Sequence, residues 1–210
     1  MAGSKPVNLA VLLSGGGTTL QNLLDHIGDG RLNARVQVVI SSRRGAGGLE
    51  RARRHGVKTV VCASRDYPDF EEMSLDIWRH VEQHPVDLVC LAGFMCFLRI
   101  KQAFLGRVIN IHPSLIPAFC GKGLYGHRVH EEVIKSGVKV TGCTVHFADN
   151  EYDHGPIILQ RTAPVLDDDT PDTLAARVFE QERIAYPEAV RLFGEGRLKI
   201  EGRRVRVAGG

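Results

Sequence analysis

This sequence predicts an α/β fold: a doubly wound, mostly parallel sheet, followed by a mixed, β-rich C-terminal part that ends in a hairpin. Three observations carry the prediction. Five short apolar runs recur before residue 112, stretches with helical punctuation separate them, and beyond residue 112 the pattern changes to longer β-rich runs and one extended helix. With 210 residues and 43% hydrophobic content the chain has material for one sizeable core. The expectation is therefore a single domain over 1–210, divided internally near residue 112.

The first strand is the run Leu9–Leu13, apolar at every position as a strand buried on both faces must be. Ser14-Gly15-Gly16-Gly17 then turns the chain, and Thr18 or Thr19 stands where a hydroxyl caps a helix reaching about Ile27. Val36–Ile40 is the second strand, Glu50–His55 a helix closed by Gly56, and Val57–Cys62 the third strand. A helix from about Asp69 is stopped by Pro85, before the strands Val86–Leu91 and Val108–Ile111. Beyond them lie a Gly-rich loop at Gly121–Gly126, a short helix near Val129–Ser136, and the β-rich runs Val138–Phe147 and Pro156–Ala163. A closing helix spans about Asp172 to Phe193, and Arg197–Val207 alternates polar and apolar residues about a turn at Gly202.

Chemistry concentrates where the fifth strand ends. Asn110 and His112 stand at i and i+2, so they share one face, and Pro113 and Pro117 prevent the ladder from continuing. They are placed at a strand mouth, where open α/β sheets bind ligands, and an amide donor beside an imidazole suits acyl transfer. The loop between the last two β-rich runs offers Asp149, Glu151 and Asp153; whichever carboxylate reaches His112 stabilises its imidazolium. The loop after the first strand presents backbone N–H groups and a helix dipole to an anion. It is not a dinucleotide fingerprint, because Leu20 replaces the third glycine and Ser41-Ser42-Arg43-Arg44 stand ~20 positions on, where an acid belongs. A single terminal phosphate remains compatible.

His127 and His130 lie one helical turn apart with Glu131 adjacent, but no third ligand follows at metal-site spacing, so no metal is expected. Gly121-Lys122-Gly123 lacks the Ser/Thr of a triphosphate loop. A net charge of only +3, without a long basic block, argues against nucleic-acid and membrane partners and for small-molecule substrates. A homodimer is allowed for, without an interface signature. Five cysteines at 62, 90, 96, 120 and 143 form no Cys-x-x-Cys pair, which points to reduced thiols in the cytoplasm, with Cys90 and Cys143 inside strands. The start of the chain lacks the apolar core of a secretion signal, and no 18-residue apolar run occurs.

In this order and spacing, Leu13-Ser14-Gly15-Gly16-Gly17, Leu91-Ala92-Gly93-Phe94-Met95, Asn110-Ile111-His112-Pro113-Ser114-Leu115, Thr141-Gly142-Cys143-Thr144-Val145-His146-Phe147 and Asp153 with Gly155-Pro156-Ile157-Ile158-Leu159-Gln160 resemble the folate-dependent formyltransferase family along almost the whole chain. The resemblance implies the formyltransferase fold, with a phosphate-binding half at about 7–112 and a folate and catalytic half at about 113–210. It implies transfer of the formyl group of 10-formyltetrahydrofolate, a co-substrate, to the amine of 5'-phosphoribosylglycinamide in de novo purine biosynthesis, without a metal. It further implies Asn110 and His112 as the catalytic pair, with Asp153 as the carboxylate that keeps the imidazole charged. Gly17, Thr18 and Thr19 would hold the acceptor's phosphate and Glu182 its glycinamide side, while Met95, Cys96, Phe97 and Leu98, with Asn110, would line the folate pocket. The chain departs from the family at Cys96, where arginine is common, at Thr18-Thr19, where Ser-Asn is frequent, and at Phe70, where an arginine on the folate side would fall; Arg65 stands nearby. A formyltetrahydrofolate deformylase-like hydrolase and a non-catalytic nucleotide- or folate-binding module are the competing readings. The transfer RNA branch of the family carries a further C-terminal domain, and the deformylase branch a further N-terminal one, for which this length has no room.

Overall fold

The computed structural model describes residues 5–209. The chain divides into two compact units, one up to Ile109 and the other from Asn110.

In the first unit, β1 (Val7–Leu13) is buried at every residue and pairs in parallel with β2 (Ala34–Ser41) and β4 (Leu88–Leu91). β3 (Lys58–Val61) adds to β2, also in parallel, so the strand order is β3-β2-β1-β4. The reversal of strand order beside β1 is the topological feature of doubly wound sheets that opens a crevice at the strand ends. α1 (Thr18–Gly28) buries Leu20, Leu23 and Leu24, an i, i+3, i+4 stripe. α2 (Gly47–Arg54) begins three residues earlier than the sequence suggests, with Gly48 in its first turn where a Cβ would meet the end of the Leu13 side chain. α3 (Phe70–Glu82) starts on Asp69, whose carboxylate accepts the Glu72 N–H at 2.9 Å. It buries Trp78, which packs against Phe104 at 4.4 Å and donates its indole N–H to the Arg99 carbonyl at 2.7 Å. One expectation fails here: neither threonine caps α1. Gly17 is the N-cap, at φ 75°, and no side chain caps that end.

The second unit is mixed, as the change of pattern after residue 112 predicts. Its strands follow the order β5-β6-β7-β9-β8, where β5 is Val108–His112, of which Asn110–His112 fall in this unit, β6 Val140–Phe147, β7 Ile157–Pro164, β8 Leu198–Glu201 and β9 Arg204–Val207. β6 and β7 are antiparallel, with a register shift between Val145 and His146; β8 and β9 form the terminal hairpin, turning at Gly202 with φ 60°. α4 (His127–Ser136) and α5 (Pro171–Gly194) pack on each other, and α5 covers β6 and β7. α5 opens on a Thr170/Thr173 capping box with Pro171 in its first turn, and buries Leu174, Val178, Ala185, Tyr186 and Val190. Cys90 and Cys143 are fully buried within strands, and all five cysteines are free. Among the described residues no helix is long and apolar enough to cross a membrane.

Candidate active site

The loop after β1 is built around Ser14. Its N–H donates to the Gly93 carbonyl at 2.9 Å, its hydroxyl lies 2.6 Å from that of Ser42, and the same oxygen accepts the Met95 N–H at 2.8 Å. The loops following β1, β2 and β4 are therefore tied together at one residue. Gly17 is required twice over: its φ is positive, and a Cβ there would stand 2.5 Å from the Gly48 Cα. Glycine thus lets α1 and α2 approach, and α1 begins without a side-chain cap. Thr18 is exposed and Thr19 is buried, so the two hydroxyls are not equivalent. Arg51, which the sequence does not single out, donates to the Gly16 carbonyl at 2.8 Å and adds a cation beside this loop.

Met95 is exposed, Cys96 and Phe97 are half-buried, and Leu98 belongs to the core. Phe97 meets Phe70 edge-on at 5.5 Å, and the Arg99 guanidinium lies 5.6 Å from the Phe97 ring while Glu71 holds it at 2.6 Å. Arg99 is thus an arginine beside the Met95–Leu98 segment in the structure; four residues beyond Met95, it lies outside the family position that Cys96 occupies.

In the second unit β5 delivers the half-buried Asn110 and the buried His112 side by side on one face. His112 Nε2 lies 2.8 Å from the Phe119 carbonyl, which only accepts, so this nitrogen carries a proton. Nδ1 faces Asp153 Oδ2 at 3.6 Å. That same carboxylate oxygen accepts the Gly121 N–H at 2.9 Å, and Oδ1 lies 3.4 Å from Asn110 Nδ2. Of the three acids in the loop, only Asp153 takes part. Asp149 accepts from the Glu151 N–H at 2.9 Å and pairs with His154 at 2.8 Å, and Glu151 is exposed.

Two backbone features hold this cluster. Phe119 and Asp153, both at φ 51°, are the non-glycine residues with positive φ among those described, and both touch His112. Such conformations persist only where surrounding contacts enforce them, and they gather at functional sites. Gly155 closes the loop behind Asp153, since a Cβ there would run into the Phe147 carbonyl. His146 is the residue of this cluster that sequence reasoning did not assign: fully buried on β6, its Nε2 lies 3.2 Å from Asn110 Nδ2 and 3.8 Å from Asp153 Oδ1. Its sequence signal is its place in the Thr141–Phe147 segment that carries the family resemblance, next to the acidic loop.

Glu182 lies on α5, half-buried, and burial pushes its carboxyl up to about 8. Its field raises the buried Cys143 thiol further. His127 pairs with Asp172 at 2.8 Å, whereas His130 is buried, has no partner for Nδ1, and is pushed down to about 4 by burial. Cys62, Asp76 and His80 come within 4.8 Å of one another. There the Tyr67 hydroxyl donates to Asp76 at 2.6 Å, and burial pushes the Cys62 thiol up to about 11, so it is a second donor to the same carboxylate.

The family profile described as Formyl transferase matches residues 7–190. Over 197 residues the chain is 40% identical to the chloroplastic phosphoribosylglycinamide formyltransferase of Arabidopsis thaliana, covering 91% of this chain and 66% of that protein. It is 36% identical to the phosphoribosylglycinamide formyltransferase of Escherichia coli K12, covering 92% and 90% of the two chains. Among solved structures, glycinamide ribonucleotide transformylase 1 from Symbiobacterium toebii superposes with a TM-score of 0.90 at 48% identity, over 96% of this chain and 94% of that one. The chain spans less than two thirds of the length of the first curated relatives it matches, 66% in the Arabidopsis case.

Proposed function

This chain belongs to the formyl transferase family, and from that premise we propose that it transfers the formyl group of 10-formyltetrahydrofolate to the amine of 5'-phosphoribosylglycinamide, a step of de novo purine biosynthesis. The observation that carries the reading is the cluster of Asn110, His112 and Asp153, with His112 between a carbonyl at 2.8 Å and a carboxylate at 3.6 Å. The amine attacks the formyl carbon, negative charge grows on the formyl oxygen, and the bond from that carbon to the folate nitrogen breaks. Asn110 donates to the oxyanion, and protonated His112 does so by exchanging the Phe119 carbonyl for it at Nε2, a kind of contact worth roughly 2.7–4 kcal/mol per donor. Asp153 stabilises the imidazolium, and the proton lost by the amine passes to the departing folate nitrogen.

The uncapped start of α1, with Gly17, Thr18, Thr19 and the Arg51 cation beside it, suits the acceptor's phosphate. Glu182 offers the glycinamide side a carboxyl whose perturbation comes from burial alone. The exposed Met95 and the Phe97 ring, with Cys96 and Leu98, suit the folate side within the first unit. Five free thiols suit a reducing compartment, the cytoplasm. The test is incubation with 10-formyltetrahydrofolate with and without phosphoribosylglycinamide, following tetrahydrofolate. Release that requires the amine supports transfer; release without it makes the protein a hydrolase, and no release leaves a binding module.

A further inference from the structure

Resting on the formyl-transfer reading, we infer that His146 is a positioning residue: as a neutral imidazole with its proton on Nδ1, it holds the Asn110 amide so that nitrogen, not oxygen, serves the reaction. His146 Nδ1 lies 3.0 Å from the Phe147 carbonyl. A carbonyl only accepts, so Nδ1 carries the hydrogen. Burial, with 1% of the residue exposed, favours the neutral ring, which leaves Nε2 as a bare lone pair. The hydrogen bond to the Phe147 carbonyl, Asp153 and Asp149 oppose that shift, and His112 reinforces it.

The bare Nε2 lies 3.2 Å from Asn110 Nδ2. An amide nitrogen only donates, so one of its two hydrogens goes to His146. The other is directed toward Asp153 Oδ1 at 3.4 Å, a length at which hydrogen bonds are weak. The shorter contact sets the amide plane, and the longer one is the hydrogen that a formyl oxygen takes over. Turning the amide over would set Asn110 Oδ1 against the Nε2 lone pair and against the Asp153 carboxylate at once. Two repulsions therefore select the orientation that catalysis needs. The register shift between Val145 and His146 brings this about, because such irregularities re-aim side chains beside active sites.

The experiment is a double-mutant cycle with a conservative rescue. His146→Phe keeps a ring and removes the acceptor; His146→Gln puts an amide oxygen in place of Nε2. Expected is a fall in kcat of about 100-fold for His146→Phe with both KM values nearly unchanged, and recovery of most of that loss in His146→Gln. Added to Asn110→Ala, His146→Phe costs nothing further. Losses that multiply across the two sites, or a Gln variant as slow as the Phe variant, overturn the inference. Histidine ring 15N spectra of the parent protein test it without turnover: a proton on Nδ1 of His146 supports it, and one on Nε2 overturns it. A parent protein without amine-dependent release fails the formyl-transfer reading instead, and the spectra still decide how Asn110 is held.

Discussion

Replacing Asp153 by Asn isolates its charge from its shape. Asn tolerates the left-handed backbone at φ 51° as Asp does, and its oxygen still accepts the Gly121 N–H, so the loop keeps its form. What disappears is a negative charge 3.6 Å from His112 Nδ1, on a side chain only 13% exposed. At that separation of 3.6 Å and an effective dielectric constant of about 20, the attraction for an imidazolium is about 4.6 kcal/mol. If the imidazolium is present in the transition state, kcat falls by about three orders of magnitude. The KM for the phosphorylated acceptor stays near the parent value, because the phosphate subsite proposed at Gly17–Thr19 does not include Asp153. The assay is the initial rate of amine-dependent tetrahydrofolate formation, with a thermal melt to verify folding. A variant that melts like the parent and keeps kcat within about tenfold of it refutes the electrostatic role.

Gly17→Ala puts a Cβ 2.5 Å from the Gly48 backbone at a φ of 75°, and lowers stability by roughly 1–3 kcal/mol. It also raises the acceptor KM with little change in the folate KM, read from melting curves and steady-state kinetics; an unchanged acceptor KM would remove this loop from phosphate binding. Glu182 titrates near 8 in the folded chain against an ordinary 4.5, so between these values the folded state holds a proton that the unfolded state has lost. Its contribution is full below 4.5 and is lost as pH rises through about 8. Glu182→Gln therefore flattens the fall in stability with pH across that window, measured as urea midpoints; parallel curves for parent and variant would contradict the burial argument.

Much of this site was legible because its signals are local. Two side chains at i and i+2 before a proline share a face in any strand, so Asn110 and His112 needed no tertiary information. Three acids within five residues were not separable in that way. Asp153 is selected because Gly155 folds the loop against the Phe147 carbonyl and Asp153 takes a left-handed backbone, while Asp149 turns to His154. The threonines after the glycine run read as caps by residue type. Close approach of α1 and α2 gives the N-cap to Gly17 instead, since no side chain fits there.

By itself the sequence determined the order of strands and helices, the strand-end position of the Asn-His pair and the family, since periodicity, punctuation and motif spacing are properties of the chain. Tertiary structure decided which carboxylate meets His112, that Arg51 stands beside the glycine loop after β1, and that His146 faces Asn110 across 36 positions of sequence. The physical reason is that each of these depends on direction. A hydrogen bond needs a donor aimed at a lone pair, and that aim is set by pairing register, a shifted strand and two left-handed residues.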